Sequence, residues 1–294
     1  MSAATTGPHH SRVASTPAPG PTLGRVVAAE WTKLTSLRSP WWVAAVTVVV
    51  TGATAYLAAQ ASSSDPGYQP LGDLTVGLVL AQLGALVLGV LMGTGEFRTG
   101  AFRTTFAVVP RRWTVLGAQT LVMAAFALLM GVLATAASVL GILPAARSRG
   151  IALDLTAGDT PGVLLGMVLL VVGLALLGQA VGALLRRTVP ALVTTLGLVV
   201  VLPLVLGLAS DPLLTGGDPA SLPLAEEVTG TTVLGTLEAL TPLAAGFLMT
   251  EPASATPVAG APDLGPVGGG LVLAAWVVVL LVAAAARLRA RDVR

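Results

Sequence analysis

Reactive side chains are scarce in this sequence, and their spacing excludes most chemistry. The 294 residues contain no cysteine, so no disulfide, thiolate metal site or cysteine nucleophile can form. The only histidines, His9 and His10, are adjacent in a polar N-terminal stretch, and the only lysine is Lys33. A P-loop requires a glycine-rich turn ending in Lys followed by Ser or Thr, so that backbone amides and the ammonium group surround phosphates. Lys33 lies instead between Glu30-Trp31-Thr32 and Leu34-Thr35-Ser36. There is no HExxH, no histidine placed for a catalytic triad and no pair of acids inside an apolar run. Gly93-Thr94-Gly95-Glu96 resembles a dinucleotide loop only superficially, because it follows a long apolar run rather than a strand. No catalytic, cofactor-binding or metal-binding residue is therefore expected, nor ATP hydrolysis by this chain alone.

The elements that would carry such residues are apolar to an unusual degree. Apolar residues make up 54% of the chain and charged residues 10%, with a mean hydropathy of +0.87. Soluble domains carry about 25% charged residues, so this chain lacks the material for a polar surface, and lipid is its natural solvent. Six stretches are long enough to cross roughly 30 Å of hydrocarbon: about 41–60, 74–95, 114–143, 161–185, 188–209 and 266–286. None contains Asp, Glu, Lys or Arg. The fourth and fifth are separated only by Arg186 and Arg187, with Thr188 opening the fifth, so they must form an antiparallel hairpin. Pro203 lies inside the fifth and should kink it. Gly89/Gly93, Gly162/Gly166 and Gly178/Gly182 have the spacing that lets helices approach closely. Gln82, Gln119 and Gln179 are expected to bond between helices, since a polar side chain facing lipid is costly.

Charge orients these stretches. Fourteen of the sixteen Lys and Arg residues fall before the first stretch, between the second and third, between the fourth and fifth, and after the sixth. The alternate loops hold eleven of the fourteen acids and only Arg147 and Arg149. Basic loops stay in the cytoplasm, so the expected fold is an all-α polytopic membrane protein with six transmembrane helices and both ends inside. A net charge of +2 gives no reason to expect nucleic acid as a partner.

Outside the crossings, residues 1–21 read as a disordered cytoplasmic tail. No cleavable leader is expected, because no apolar run follows the first charges. Residues 22–38 place Leu23, Val26, Val27, Trp31, Leu34 and Leu37 at helical spacing opposite Arg25, Lys33 and Ser36. They predict an amphipathic helix in the membrane interface. Ser39-Pro40 is the expected N-cap and first-turn proline of the first crossing. In the cytoplasmic loop 96–112, Phe102 and Phe106 share one face of a short helix ended by Pro110 and bordered by Arg98, Arg103, Arg111 and Arg112. That face either dips into the membrane interface or docks a partner. The outer loop 210–265 has seven acids and no base. Helical spacing in residues 233–247, interrupted by Pro242, predicts a re-entrant or surface-lying helix pair there. Residues 287–294 form a second cytoplasmic tail.

Two stretches carry a specific resemblance. Ala29-Glu-Trp-Thr-Lys-Leu-Thr-Ser-Leu-Arg-Ser-Pro-Trp-Trp42 resembles the opening of actinobacterial ABC-2-type transporter permeases. Glu96-Phe-Arg-Thr-Gly-Ala-Phe-Arg-Thr-Thr-Phe106 with Val109-Pro-Arg-Arg-Trp113 is similar to the first cytoplasmic loop of that family; Leu240-Thr-Pro-Leu-Ala-Ala-Gly246 is a weaker match. The resemblance implies a half-transporter in the bacterial cell membrane that pairs with a second copy or a related chain and is energised by a separate cytoplasmic ABC ATPase subunit. It implies that the interfacial helix includes Trp31, Lys33, Leu34 and Arg38, and that Glu96, Gly100, Phe102, Arg103 and Phe106 belong to the ATPase-coupling loop. Export of an amphipathic or lipid-like substrate is the implied activity. An ATPase-independent facilitator or a membrane scaffold is the alternative.

Overall fold

The computed structural model describes residues 22–99, 112–210, 230–256 and 260–290. Regular structure among the described residues is entirely helical, as long apolar runs require when no water is present to satisfy the backbone. α1 (Leu23–Ser36) precedes α2 (Arg38–Ser62). A short 3-10 turn (Pro70–Leu74) leads to α3 (Leu78–Thr99), followed by α4 (Arg112–Ser148) and α5 (Thr160–Leu185). The next crossing is divided into α6 (Thr188–Leu196), a π-helical turn (Gly197–Val201) and α7 (Leu202–Ser210). Two short helices, α8 (Val233–Ala239) and α9 (Pro242–Leu248), precede α10 (Gly265–Ala290). Six stretches are long and apolar enough to cross a membrane: Arg38–Ser62, Pro70–Gly95, Thr114–Ser148, Thr160–Leu185, Thr188–Ala209 and Gly265–Leu288. The protein is an all-α, multi-pass membrane protein.

α5 is the central post, packed against α3, α4, α6, α9 and α10. Its contact with α3 is the most extensive among the described residues, and the glycines explain why. A Cβ at Gly178 would lie 2.6 Å from the Leu86 carbonyl oxygen, and one at Gly182 would lie 2.9 Å from that of Val90. From the other side, a Cβ at Gly89 or Gly93 would overlap the carbonyl of Ala175 or Gln179. The two glycine pairs therefore face each other and let backbone touch backbone. Gly166 serves the same purpose against the Met249 carbonyl, whereas a Cβ at Gly162 would meet nothing within 4 Å. At the periphery, Val189, Val193, Leu204 and Val278 are exposed; in a bilayer such a surface faces lipid.

Several local expectations are corrected. The chain is extended at Leu37, which ends α1 and stands at the N-cap of α2 without a side-chain cap bond. Ser39 is consequently already helical, and Pro40 is buried in the first turn of α2. The third crossing does not stop at residue 143: α4 runs through Pro144 to Ser148 and ends before Gly150, whose φ is +66°. Gln82 does not bridge helices. Its Nε2 donates to the Val79 carbonyl at 2.8 Å on the same helix, and the Oε1 atoms of Gln82 and Gln179 are buried without a hydrogen-bond partner among the described residues. Pro203 has no amide to donate to the Val199 carbonyl, and the expected kink takes the form of the π turn just ahead of it.

The helix pair after the fifth crossing folds back along the last one, as the re-entrant form of the expectation requires. The Trp276 indole donates to the carbonyl of Leu240, in the turn between α8 and α9, at 2.9 Å. Trp276 lies eleven residues into α10, which is roughly 16 Å along the helix and about half the thickness of a hydrocarbon core. α9 climbs back from that depth between α5 and α10, with Gly246 against the Leu170 side chain and Gly269 against the Ala245 carbonyl. Thr232 and Thr241 cap the two short helices, accepting from the amides of Gly235 and Ala244. At the mouth of the pair, the Gly260 carbonyl accepts from both the amide (2.8 Å) and the hydroxyl (3.2 Å) of Thr232.

Candidate functional site

Among the residues singled out by sequence, those described lie on α1 and at the start of α2, and the base of the 96–112 loop lies at the end of α3. α1 lies against α4 through Val26, Glu30 and Leu34, spaced four residues apart and all buried. Leu34 is fully enclosed, whereas Trp31 and the side chain of Lys33 remain about 40% exposed (39% and 43%). Arg38 is exposed and is the first residue of α2. The four residues assigned to the interfacial helix thus divide: Leu34 anchors it, Trp31 and Lys33 flank the anchor, and Arg38 starts the crossing.

Glu30 was not among the expected site residues. It sits in the middle of the buried stripe, 4% exposed, with its carboxylate 2.8 Å from Lys33 Nζ. The signal was present in the sequence, because residue 30 continues the four-residue step from Val26 to Leu34. A carboxylate in that position nevertheless reads as a solvent-facing residue until the packing is known.

The orientation of α1 is set from α2. The Trp41 indole donates to the Thr35 carbonyl at 3.1 Å, and its ring meets Phe126 of α4 edge-on, with centroids 5.3 Å apart. One tryptophan therefore ties the end of α1, the start of α2 and α4 together across the extended residue Leu37.

Gly100, Phe102, Arg103 and Phe106 lie outside the described residues, as do the side chain of Glu96 and the expected short helix before Pro110. The base of that loop is described. Phe97, one residue past Glu96, lies beneath the Arg186 guanidinium, whose carbon is 5.0 Å from the ring centroid. Arg186 ends α5 in a left-handed conformation with φ 61°, and its amide donates to the Gly182 carbonyl. The sharp reversal into α6 requires that conformation. Arg186 Nη2 also reaches the Arg287 carbonyl of α10 at 3.5 Å, and Arg287 Nη1 donates to the Leu184 carbonyl of α5. Each arginine thus serves a carbonyl of the other's helix. Both cations lie where carbonyls at helix C-termini lack intrahelical partners and the helix dipole is negative.

Thr94 and Thr188 share a hydrogen bond of 3.1 Å between α3 and α6. A small apolar cluster with Leu116, Ala183 and Leu288 fills the space beneath. The ends of α3, α4, α5, α6 and α10 are consequently one joined block, from which the 96–112 loop departs and to which it returns. Its chemistry is that of a mechanical joint: cation–π contact, charge-assisted bonds to carbonyls and small-residue packing. Among the described residues, no group of three or more His, Cys, Asp or Glu is placed to hold a metal ion. No protein-family model, no curated protein and no solved structure matches this chain.

Proposed function

We propose that this chain is the membrane-spanning permease subunit of an ATP-driven ABC transporter in a bacterial plasma membrane. Its N- and C-termini face the cytoplasm, and it pairs with a second copy or a related chain. The energy comes from a separate cytoplasmic ATPase that docks at the 96–112 loop, and the cargo moved outward is amphipathic or lipid-like. The observation that carries this reading is the joint formed by Phe97, Arg186 and Arg287. A partner that pushes on the loop pushes on the end of α3, and the arginine contacts couple that displacement to α5 and α10. A loop that only rested on lipid would not need such a connection to the central post of the bundle. The sequence supports the same division of labour, since its single lysine lies outside any phosphate-binding turn.

Within the loop, Phe102 and Phe106 are the proposed anchors, and Glu96, Gly100 and Arg103 border them. Truncating a buried aromatic anchor costs about 2 kcal/mol or more, whereas a rim ion pair contributes less than about 1 kcal/mol. The full chain, affinity-purified in mild detergent from its native membrane, should carry a stoichiometric ATPase. Phe102→Ala with Phe106→Ala should weaken that association at least tenfold while membrane levels stay normal, because the six crossings are untouched. Recovery of the wild-type chain alone at full yield would overturn the reading. ATP-independent flux through such a preparation in liposomes would favour a facilitator.

A further inference from the structure

From the middle of the fifth crossing toward the opposite end of the bundle, two interruptions of regular membrane helix meet. The π turn of the fifth crossing is packed against α9 of the re-entrant pair, and α7 beyond it is packed against α8. Irregular backbone at membrane depth is tolerated only where it is buried in protein or lines a cavity, and π turns recur at functional sites. Transporters commonly place their cargo beside such discontinuous helices.

One charged residue is built into this junction. Glu238 of α8 is partly buried, two residues before the carbonyl that rests on Trp276. Its Oε1 lies only 3.3 Å from the position a Cβ would take at Gly207 of α7. A glycine there lets the carboxylate lie directly against the α7 backbone. The sequence from Thr188 to Ala286 contains no Lys or Arg, so α6, the π turn, α7, α8, α9 and most of α10 offer Glu238 no cation. The two bases on this side of the chain, Arg147 and Arg149, are at the end of α4, which packs on the 3-10 turn, and Arg149 reaches the Asp65 carbonyl. Glu238 makes no ion pair among the described residues. A carboxylate beside apolar helices, with no Lys or Arg on the elements packed around it, attracts a cation more strongly than one in bulk water does.

We infer that the junction of α7, the π turn and the re-entrant pair binds the cationic group of an amphipathic organic cation, with Glu238 as its counter-charge and the surrounding Leu and Val side chains against its apolar body. This deepens the proposed function by naming a cargo class, and it rests on that reading only for the direction of movement. The other acids on this side add a field of the same sign, which raises the local concentration of cations. Among the described acids of these loops, Glu238 is the one carried on α8 against α7.

The test uses the full chain in nanodiscs of zwitterionic lipid. Tetraphenylphosphonium and tetraphenylborate, ions of one shape and opposite charge, are the probes, and binding to empty nanodiscs is subtracted. The wild-type chain should bind the cation at least tenfold more tightly than the anion. Glu238→Gln should lose at least tenfold in cation affinity and leave the anion unaffected, while Glu238→Asp should retain the preference. Glu251→Gln, an exposed acid just beyond α9, should change neither. Gly207→Leu, which occupies the space against the carboxylate, should lower cation affinity with the charge still present, and it provides a second route if Glu238→Gln folds poorly. Equal binding of both ions, or equal losses from Glu238→Gln and Glu251→Gln, would overturn the inference. Because no ATPase takes part, charge-selective binding without an associated ATPase would retain this site and reject the transporter reading. Association with an ATPase but no charge preference would do the reverse.

Discussion

Glu30 and Lys33 form an asymmetric pair: the carboxylate is enclosed between α1 and α4, while the ammonium group is half exposed. Removing the exposed partner should therefore do more harm than neutralising the buried one. Lys33→Met leaves a buried acceptor without its donor, which costs about 1–3 kcal/mol. Glu30→Gln keeps the shape and a hydrogen-bonding group, and should cost less. The double variant should recover part of the loss from Lys33→Met, and thermal unfolding of the four proteins in detergent would show this. Losses that simply add in the double variant would mean that the pair does not act as a unit. Sequence periodicity located α1 but not this pair, because helical spacing tells which residues share a face and not how large a charge that face can bury. The same limit explains Gln82, whose placement within a crossing was evident while its bond to its own helix depended on what α5 and α2 presented to it.

At the scale of elements, apolar length was sufficient to place six crossings, since a run of about 20 apolar residues has few alternatives in water or lipid. An interruption of the fifth crossing near Pro203 was legible for a local reason, the missing amide, and it is present as the π turn. Pro144 was not legible as a helix interior, because the proline that breaks an isolated helix is tolerated in a packed membrane helix whose neighbours hold its axis. Glycine spacing proposed three pairs, and the structure separates them by contact rather than by spacing. Substitution should reproduce that separation. Gly178→Leu drives a side chain into the Leu86 carbonyl and should destabilise the α3–α5 contact by at least the roughly 1–3 kcal/mol typical of overpacking. Gly162→Ala meets open space and exchanges a poor helix former for the best one, worth up to about 1 kcal/mol, so stability should hold or rise. Melting temperatures of both variants in one detergent would check the contrast, and a Gly178→Leu protein as stable as wild type would show that α3 and α5 separate readily. The re-entrant pair was legible as two short helices, but its depth was set by Trp276, Gly166 and Gly269, residues far away in sequence.

For the whole molecule, the alternation of basic and acidic loops predicts an absolute orientation that packing alone does not supply. The end joined by Arg186 and Arg287 carries the basic segments, and the end holding the re-entrant mouth carries the acidic ones. Retention of Lys- and Arg-rich segments on the cytoplasmic side therefore predicts that the Phe97–Arg186–Arg287 joint lies inside and the Thr232–Gly260 clamp outside. The absence of native cysteine gives a clean background for mapping this. Single cysteines at Ser64, Ala157 and Thr256, all exposed at the acidic end, should react with an impermeant maleimide added to intact cells. Cysteines at Ser36, exposed on α1, and at Thr104, within the basic loop, should react only after the membrane is opened. The α5–α6 hairpin makes the result internally checkable: its Arg186–Arg187 turn must share a side with Thr104, because α3 and α5 run in parallel with their glycines in register. Labelling of Thr104 from outside intact cells would invert the molecule and remove the ATPase from reach of its proposed docking loop. Labelling of Ala157 only in opened membranes, with Ser64 still labelled from outside, would break the alternation at α4 and with it the six-crossing path.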